Sequence, residues 1–190
     1  MAAKDMLDTN TKDLIAEALR MIMMEKPFEN IRIKDICDRV GVVRVTFYNY
    51  FIDKYAALEY LIEKDLILPN ENRIREGKFE EMIFSMMNVM DAKRDYYKIA
   101  FQVGGQNGFE DQLKIMMTRV FGRILEKYRQ MSVGSHELPN RVTAEYFAEL
   151  FAYGMRTWLF YPKKIAVDEA RRYVAKVLRK EILGYLKTEE

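Results

Sequence analysis

Apolar residues recur every three or four positions along most of this chain, which is the spacing of one face of an α-helix. The segment 113–128 shows the pattern most clearly, with apolar side chains 0, 4, 7, 8, 11 and 15 positions after its start. The same spacing recurs in 11–25, 33–40, 44–51, 53–68, 79–90, 141–160 and 168–185, and a further stripe begins at Tyr97. No segment of five or more residues alternates convincingly between apolar and polar positions. The chain is therefore predicted to be all-α, with about nine helices.

The first 55 residues are predicted to form a small domain of three short helices. Within 38–44 a helix ends, Gly41 turns the chain, and a new helix begins at Arg44. This order is the geometry of a helix-turn-helix unit. Phe47 and Phe51 lie four positions apart and would anchor the second helix inward, so that its other face projects from the domain. Residues 56–190 would form a larger helical domain.

The projecting face carries side chains that suit DNA. Arg and Asn hydrogen-bond to base edges, Val and Thr contact the thymine methyl, and Tyr hydroxyls and Lys bind phosphate oxygens. The candidate DNA-binding residues are Lys34, Arg44, Val45, Thr46, Tyr48, Asn49, Tyr50 and Lys54. Nine basic and nine acidic side chains in residues 1–55 cancel, so we expect moderate affinity that falls with added salt.

Composition excludes several other classes of protein. The net charge of +2, from 31 Lys and Arg against 29 Asp and Glu, favours neither an acidic nor a basic partner. One Cys and one His leave no disulfide, His/Cys metal cluster or Cys/His catalytic pair to build. The longest uncharged stretch, 99–109, is short of the roughly 20 residues that a membrane helix needs. With no apolar signal segment, phosphate-binding Gly pattern or G-x-S-x-G turn, we expect a cytoplasmic protein that is no enzyme and has no cofactor.

Residues 33–54 read Ile-Lys-Asp-Ile-Cys-Asp-Arg-Val-Gly-Val-Val-Arg-Val-Thr-Phe-Tyr-Asn-Tyr-Phe-Ile-Asp-Lys and resemble the signature of the TetR family of transcriptional regulators. The resemblance extends over 11–58, and 26–28 and 35–37 also resemble the branch that includes the dihydroxyacetone kinase regulators. It implies that Lys34 and Lys54 contact phosphates at the starts of the second and fourth helices. It further implies that Tyr48 and Tyr50 hold the DNA backbone while 44–46 approach the bases.

Three positions depart from the family pattern. Val43 stands where Ser is usual, which removes a helix N-cap typically worth ~1 kcal/mol. Val45 replaces a common Gly, and Tyr50 replaces a common His. These changes leave the fold prediction intact and alter which operator sequence would be read.

Methionine and aromatic residues in the middle helices suggest an adaptable apolar pocket, because Met is flexible and polarizable. The candidate pocket residues are Met86, Met90, Tyr97, Phe101, Met117, Phe121, Tyr153 and Trp158. The alternative is that these side chains only fill the core. The family's habit of sensing small molecules favours a pocket.

The last two long helices are too apolar for solvated helices, and the resemblance implies that they form a four-helix dimer interface. The candidate interface residues are Tyr146, Phe147, Leu150, Phe151, Gly154, Val174, Val177, Leu178 and Ile182. Gly154 would allow two helices to approach closely. The alternative is that both helices bury these residues within their own domain.

These observations predict a homodimeric regulator that reads a palindromic operator in double-stranded DNA. The family default, repression relieved by a small-molecule effector, is implied by the resemblance. The alternative keeps the fold but gives the C-terminal domain a protein partner in place of a small molecule.

Overall fold

The computed structural model describes residues 2–105, 107–131, 140–163 and 165–186. These residues form helices joined by turns, with no strand among them, and the all-α prediction is confirmed. The α-helices are α1 (Ala2–Met23), α2 (Ile33–Val40), α3 (Arg44–Tyr50), α4 (Lys54–Ile62), α5 (Glu71–Glu76), α6 (Phe79–Ala92), α7 (Arg94–Ala100), α8 (Phe109–Met131), α9 (Asn140–Phe160) and α10 (Val167–Leu186).

The turn between α2 and α3 forms where the sequence predicts it. Gly41 adopts a φ of 78°, a left-handed conformation that glycine reaches without steric cost. Its N–H and that of Val42 both donate to the Cys37 carbonyl, at 2.9 and 3.0 Å, and so end α2. Val43 returns the backbone to an extended conformation before α3 begins. The side chain of Phe47, on the inner face of α3, is fully buried. The helix-turn-helix unit is therefore confirmed.

The fourth helix changes its winding rather than stopping near Leu68. After α4, residues Glu63–Ile67 form a wider π-helical turn, and Leu68–Asn70 form a 3₁₀ turn that leads into α5. A π turn shifts the helical register, and such turns frequently occur at functional sites. Here the turn brings Asp65 to a position where the carboxylate is buried.

One continuous apolar core runs through the described residues, from α1 to the start of α10. Four methionines of α6, at positions 82, 86, 87 and 90, are fully buried in it. Phe121 of α8 packs between Phe147 and Phe151 of α9, with ring centroids 5.9 and 6.4 Å away. Among the described residues, no helix is both long enough and apolar enough to cross a membrane.

Candidate nucleic-acid interface

The outer face of α3 is open to solvent while its inner face anchors the helix. Arg44, Val45, Tyr48 and Asn49 are exposed, with Val45 at 69% and Tyr48 at 55%. Thr46 and Tyr50 are half-buried at the edges of this face. Phe47 packs against the rings of Tyr48 and Phe51, at 5.6 and 5.8 Å between centroids. The predicted reading side chains therefore project together from a helix whose other face is buried, and Phe51 continues this packing onto Tyr60 of α4 with 5.7 Å between ring centroids.

Two acidic side chains of the N-terminal domain, on α2 and just after α1, are engaged by neighbouring cations. Asp35, in the first turn of α2, accepts hydrogen bonds from the Lys26 ammonium at 2.5 Å and from the Arg32 N–H at 2.9 Å. The Lys26 hydrogen bond, then the Arg32 one, hold the pKa of the Asp35 carboxyl below its ordinary value. Glu25 and Arg39 form a bidentate pair at 2.8 and 2.7 Å. These pairs engage Lys26 and Arg39 as well as the two carboxylates, so the net charge of residues 1–55 stays at zero.

Lys34 and Lys54 occupy different surroundings. Lys34 is exposed near the start of α2, as a phosphate contact requires. The Lys54 ammonium instead donates hydrogen bonds to the carbonyls of Phe28, Glu29 and Ile31 at 2.7, 3.2 and 3.0 Å. Because an ammonium has three N–H donors, the Lys54 side chain is fully engaged within the protein, unlike that of Lys34.

A buried charge cluster joins α1, the π turn and α7. Asp65 is 7% exposed and lies 2.9 Å from an Arg20 nitrogen and 2.8 Å from the Lys93 ammonium. The Tyr97 hydroxyl donates to the same carboxylate at 2.9 Å. The Arg20 guanidinium also lies over the Tyr96 ring, 4.7 Å from its centroid. We call these five residues the Asp65 cluster.

The Asp65 carboxylate remains charged because its cations outweigh its burial. Burial by itself would raise the pKa, but the hydrogen bonds from Arg20 and Lys93 hold the Asp65 pKa below its ordinary value. The Tyr97 pKa moves the other way, because burial and the nearby Asp65 charge raise it. The sequence pattern gave no signal for this cluster, since its members are spread over residues 20–97 and meet only in the fold.

The predicted pocket residues do not converge on one opening. Met86, Met90, Tyr97, Phe101, Met117 and Phe121 are buried in the packed core, each 8% exposed or less. Trp158 is also buried, donates its indole N–H to the Ile165 carbonyl at 3.2 Å, and is covered by the Arg94 guanidinium. Tyr153 is 60% exposed. It lines, with Trp158, a largely apolar groove of about 560 Å³ between α9 and α10.

The predicted dimer residues divide between the core and the surface. Phe147 and Phe151 are each 2% exposed and pack on Phe121 within the subunit. Tyr146 is 55% exposed, and Leu150, Gly154, Val174 and Val177 are half-buried. The side chains of Leu178 and Ile182 lie outside the described part of α10.

Sequence reasoning missed an exposed apolar stripe on α9. Val142, Tyr146, Tyr153 and Phe160 are 45, 55, 60 and 41% exposed. Their spacing of 4, 7 and 7 residues places them on one helix face. Exposed Tyr173 of α10 lies across the groove from this stripe. The spacing of these four residues is present in the sequence. However, the opposite face of α9 is also apolar, so periodicity alone does not show which face is exposed.

The fold and this surface define a class of protein, a helix-turn-helix DNA reader with a larger helical body. A family model described as "Bacterial regulatory proteins, tetR family" matches residues 14–61, and one described as "Transcriptional regulator C-terminal region" matches 77–180. The second match covers more than half of the chain. The chain therefore belongs to the TetR family of transcriptional regulators.

Relatives place the chain more closely within the family. It is 25% identical over 116 residues to the dhaKLM operon transcriptional activator DhaS of Lactococcus lactis subsp. lactis (strain IL1403). The aligned region spans 60% of this chain and 60% of that protein, and a resemblance to DhaS is thereby confirmed.

Solved structures share the fold at low identity. A TetR-family regulator from Syntrophomonas wolfei has a TM-score of 0.72 and 22% identity, covering 95% of this chain and 99% of its own. A structure of a dihydroxyacetone kinase operon activator DhaS has a TM-score of 0.65 and 19% identity, covering 92 and 96%. FadR of Thermus thermophilus, solved with lauroyl-CoA, has a TM-score of 0.64 and 17% identity, covering 94 and 97%.

Proposed function

We propose that this chain is a homodimeric regulator that reads a palindromic operator through residues 1–55 and dimerises through residues 56–190. The observation that carries the proposal is the face of α3, where Arg44, Val45, Tyr48 and Asn49 are exposed above a fully buried Phe47. A recognition helix held in this way enters the major groove with its N-terminal residues against the base edges.

Each exposed side chain then has a role that fits its chemistry. Arg44 hydrogen-bonds to a base, and Val45 and Thr46 contact bases through their methyl groups. Asn49 hydrogen-bonds to a base edge, Tyr48 and Tyr50 hold the sugar–phosphate backbone, and Lys34 neutralises a phosphate. Few cations take part, so affinity for non-specific DNA is modest and most of the discrimination comes from α3.

Footprinting of the DNA upstream of the coding sequence, at two salt concentrations, tests this function. We expect two protected half-sites whose centres lie one helical turn of about 34–36 Å, or a multiple of it, apart. Arg44→Ala should weaken operator binding by ~1–3 kcal/mol, roughly 5- to 150-fold, and relax the sequence preference at one base pair per half-site.

Arg123→Ala is the matched control. This arginine is also exposed but lies on α8 and pairs with Glu71, so operator affinity should stay at the wild-type value. Absence of any protected site at low salt would refute the proposed function.

The α9 stripe and the neighbouring groove support the proposed dimer. Tyr153 and Tyr173 expose large apolar rings on either side of the α9–α10 groove, and clustered exposed apolar area marks interaction sites. Gly154 lies in the same groove. A Cβ added at Gly154 would meet no atom of the described residues within 4 Å, so the space above it is open to the close approach of a second helix.

An effector is proposed to act through α4. The N-terminal helix α1 and the helical body meet at the Asp65 cluster, so a ligand that shifts α7 or the π turn would change the separation of the two recognition helices. A ligand biases such an equilibrium only by its differential affinity for the two states. Repression is the proposed outcome of operator binding, since a dimer covering two half-sites occludes them without further partners.

A protein partner of the C-terminal domain is the second candidate. It is favoured by the dense packing of Met86, Met90, Met117 and Phe121, because an effector would have to displace these side chains to enter. The related DhaS of Lactococcus lactis is named as an activator, which supports control other than simple occlusion. A reporter gene behind the footprinted operator distinguishes the outcomes: deleting the regulator raises expression under repression and lowers it under activation.

A further inference from the structure

Lys54 uses its whole hydrogen-bonding capacity inside the protein. Its ammonium nitrogen lies 2.7 Å from the Phe28 carbonyl oxygen, 3.2 Å from that of Glu29 and 3.0 Å from that of Ile31. The Phe28 ring lies 4.6 Å from the same nitrogen, within the range of a cation–π contact. A lysine so engaged would have to break these contacts to reach a DNA phosphate.

The three carbonyls form a natural receptor for a cation. Phe28–Asn30 is a single 3₁₀ turn, in which the Ile31 N–H donates back to the Phe28 carbonyl at 3.0 Å. The Phe28 carbonyl thus accepts two donors, which its two lone pairs allow, and the carbonyls at the end of a helical turn carry partial negative charge. Lys54 supplies three N–H donors and a positive charge to this end of the turn, as basic residues do at helix C-termini.

The position of Lys54 in the chain determines what this contact holds. Lys54 is the first residue of α4 and follows α3 by only three residues, 51–53. Asp53 fixes the backbone at this point by accepting a hydrogen bond from the Ala56 N–H at 2.8 Å. Tyr55, the next residue, packs edge-on against Phe28 with 5.0 Å between ring centroids. The contact therefore ties the α3–α4 corner to the turn that precedes α2.

We propose that Lys54 is a positioning residue: its ammonium holds the α3–α4 corner against the Phe28–Ile31 turn and neutralises no DNA phosphate. The orientation of α3, and with it the reading face, depends on this link. Partial burial of the side chain agrees with this role, since burial lowers the Lys54 pKa despite the neighbouring Glu29 and Asp53 charges. The proposal rests on the proposed function only in the experiments that measure DNA binding.

Hydrogen–deuterium exchange of the free protein tests the link without DNA. Lys54→Met keeps the alkyl stem and removes all three donors, so the amides of residues 47–51 should exchange about tenfold faster or more. Lys34→Met is the matched control, because Lys34 is an exposed lysine of the same unit, and these amides should exchange as in the wild type. Unchanged exchange in Lys54→Met would overturn the proposal.

DNA titrations separate positioning from phosphate binding. Each phosphate contact removed lowers the slope of log K against log salt by about 0.9. Lys34→Met should show this loss of slope, whereas Lys54→Met should weaken binding at every salt concentration with the slope of the wild type. A lower slope in Lys54→Met would overturn the proposal.

Lys54→Arg distinguishes the two roles while keeping the charge. A guanidinium binds phosphate at least as well as an ammonium does, but its planar fork does not place three donors on three converging carbonyls. Lys54→Arg should therefore bind DNA about as weakly as Lys54→Met, and wild-type affinity would overturn the proposal. If Lys54→Met fails to fold, Lys54→Arg replaces it in both the exchange experiment and the DNA titration. If the wild type binds no DNA, the proposed function fails while the exchange experiment still decides the role of Lys54.

Discussion

The buried carboxylate of Asp65 links α1 to the segment around the start of α7. Arg20 from α1 and Lys93, which precedes α7, both approach its carboxylate within 3 Å, and the Tyr97 hydroxyl donates to it. A buried ion pair contributes little net stability against an apolar replacement, but removal of one partner strands the other charge. Such a cluster favours one register of α1 against the π turn and α7 over alternatives in which these charges would be buried apart.

Replacing Asp65 with Asn tests this dependence. Asn has nearly the same shape but removes the carboxylate charge, so buried Arg20 keeps only the partly exposed Glu17, 3.2 Å away, as a counterion. The free energy of unfolding at pH 7 should therefore fall by up to about 3–5 kcal/mol, the loss typical of a broken buried ion pair. The Asp65 pKa is held below its ordinary value, so the wild-type carboxylate stabilises the fold above about pH 3.9 and loses this contribution as the pH falls through its lower folded pKa. Asp65→Asn should therefore lose less stability than the wild type on acidification.

Urea unfolding at a series of pH values measures both effects. Asp38→Asn is the control, because Asp38 is exposed on α2, and its unfolding free energy should follow the wild type. A urea unfolding midpoint for Asp65→Asn equal to that of the wild type at pH 7 would show that the Asp65 cluster does not stabilise the fold.

The N-terminus of α3 lacks the side-chain hydrogen bond that the first turns of α2 and α4 have. Asp53 caps α4 and Asp35 accepts the Arg32 N–H at the start of α2, whereas Val43 has no side-chain acceptor to offer α3. Val43 is 69% exposed and its backbone, with φ −85° and ψ 157°, already has the extended conformation of an N-cap residue. The recognition helix thus depends on its aromatic anchor and on the Lys54 link.

Val43→Ser should stabilise α3 and with it the protein. The serine oxygen would accept a hydrogen bond from the N–H of Val45 or Thr46, a gain of ~1 kcal/mol. Exposed Val43 loses little packing in exchange. Val43→Ala removes the same side chain without adding a cap, so only Val43→Ser should raise the urea midpoint above that of the wild type. Equal midpoints for the two variants would mean that the cap does not form.

Helical periodicity was enough to predict the all-α fold and the position of α3, because Phe47 and Phe51 fix which face is buried. It was not enough for α9, because this helix is apolar on two faces and periodicity does not separate the buried Phe147 from the exposed Tyr153. It was not enough for Asp65 either, since the π turn departs from the 3.6-residue period. Lys54 was assigned from its place in a family signature, and no sequence pattern reveals the three carbonyls that it binds.

At the scale of the whole molecule, the described residues leave one side of α9 and of the first turns of α10 apolar and open. The stripe formed by Val142, Tyr146, Tyr153 and Phe160 faces solvent in the subunit, and Gly154 lies beside it with open space where a Cβ would stand. Glycine inside a helix costs about 0.5–1 kcal/mol relative to Ala, and no contact in the described part of the subunit requires it here. A second subunit packed against this face would account for both features and would set two recognition helices about one two-fold axis.

Gly154→Arg should therefore convert a dimer into monomers. The new side chain would project into the space that the proposed partner helix occupies, whereas within one subunit it meets no atom near its Cβ. Light scattering should give a molar mass near the 22.6 kDa of one chain in place of about twice that value for the wild type, and operator affinity should fall because the half-sites are no longer bound jointly. Gly122→Arg is the matched control, since Gly122 is also a mid-helix glycine with open space at its Cβ but lies on α8, and it should remain dimeric. A Gly154→Arg protein that stays dimeric would place the interface on another face of the helical body.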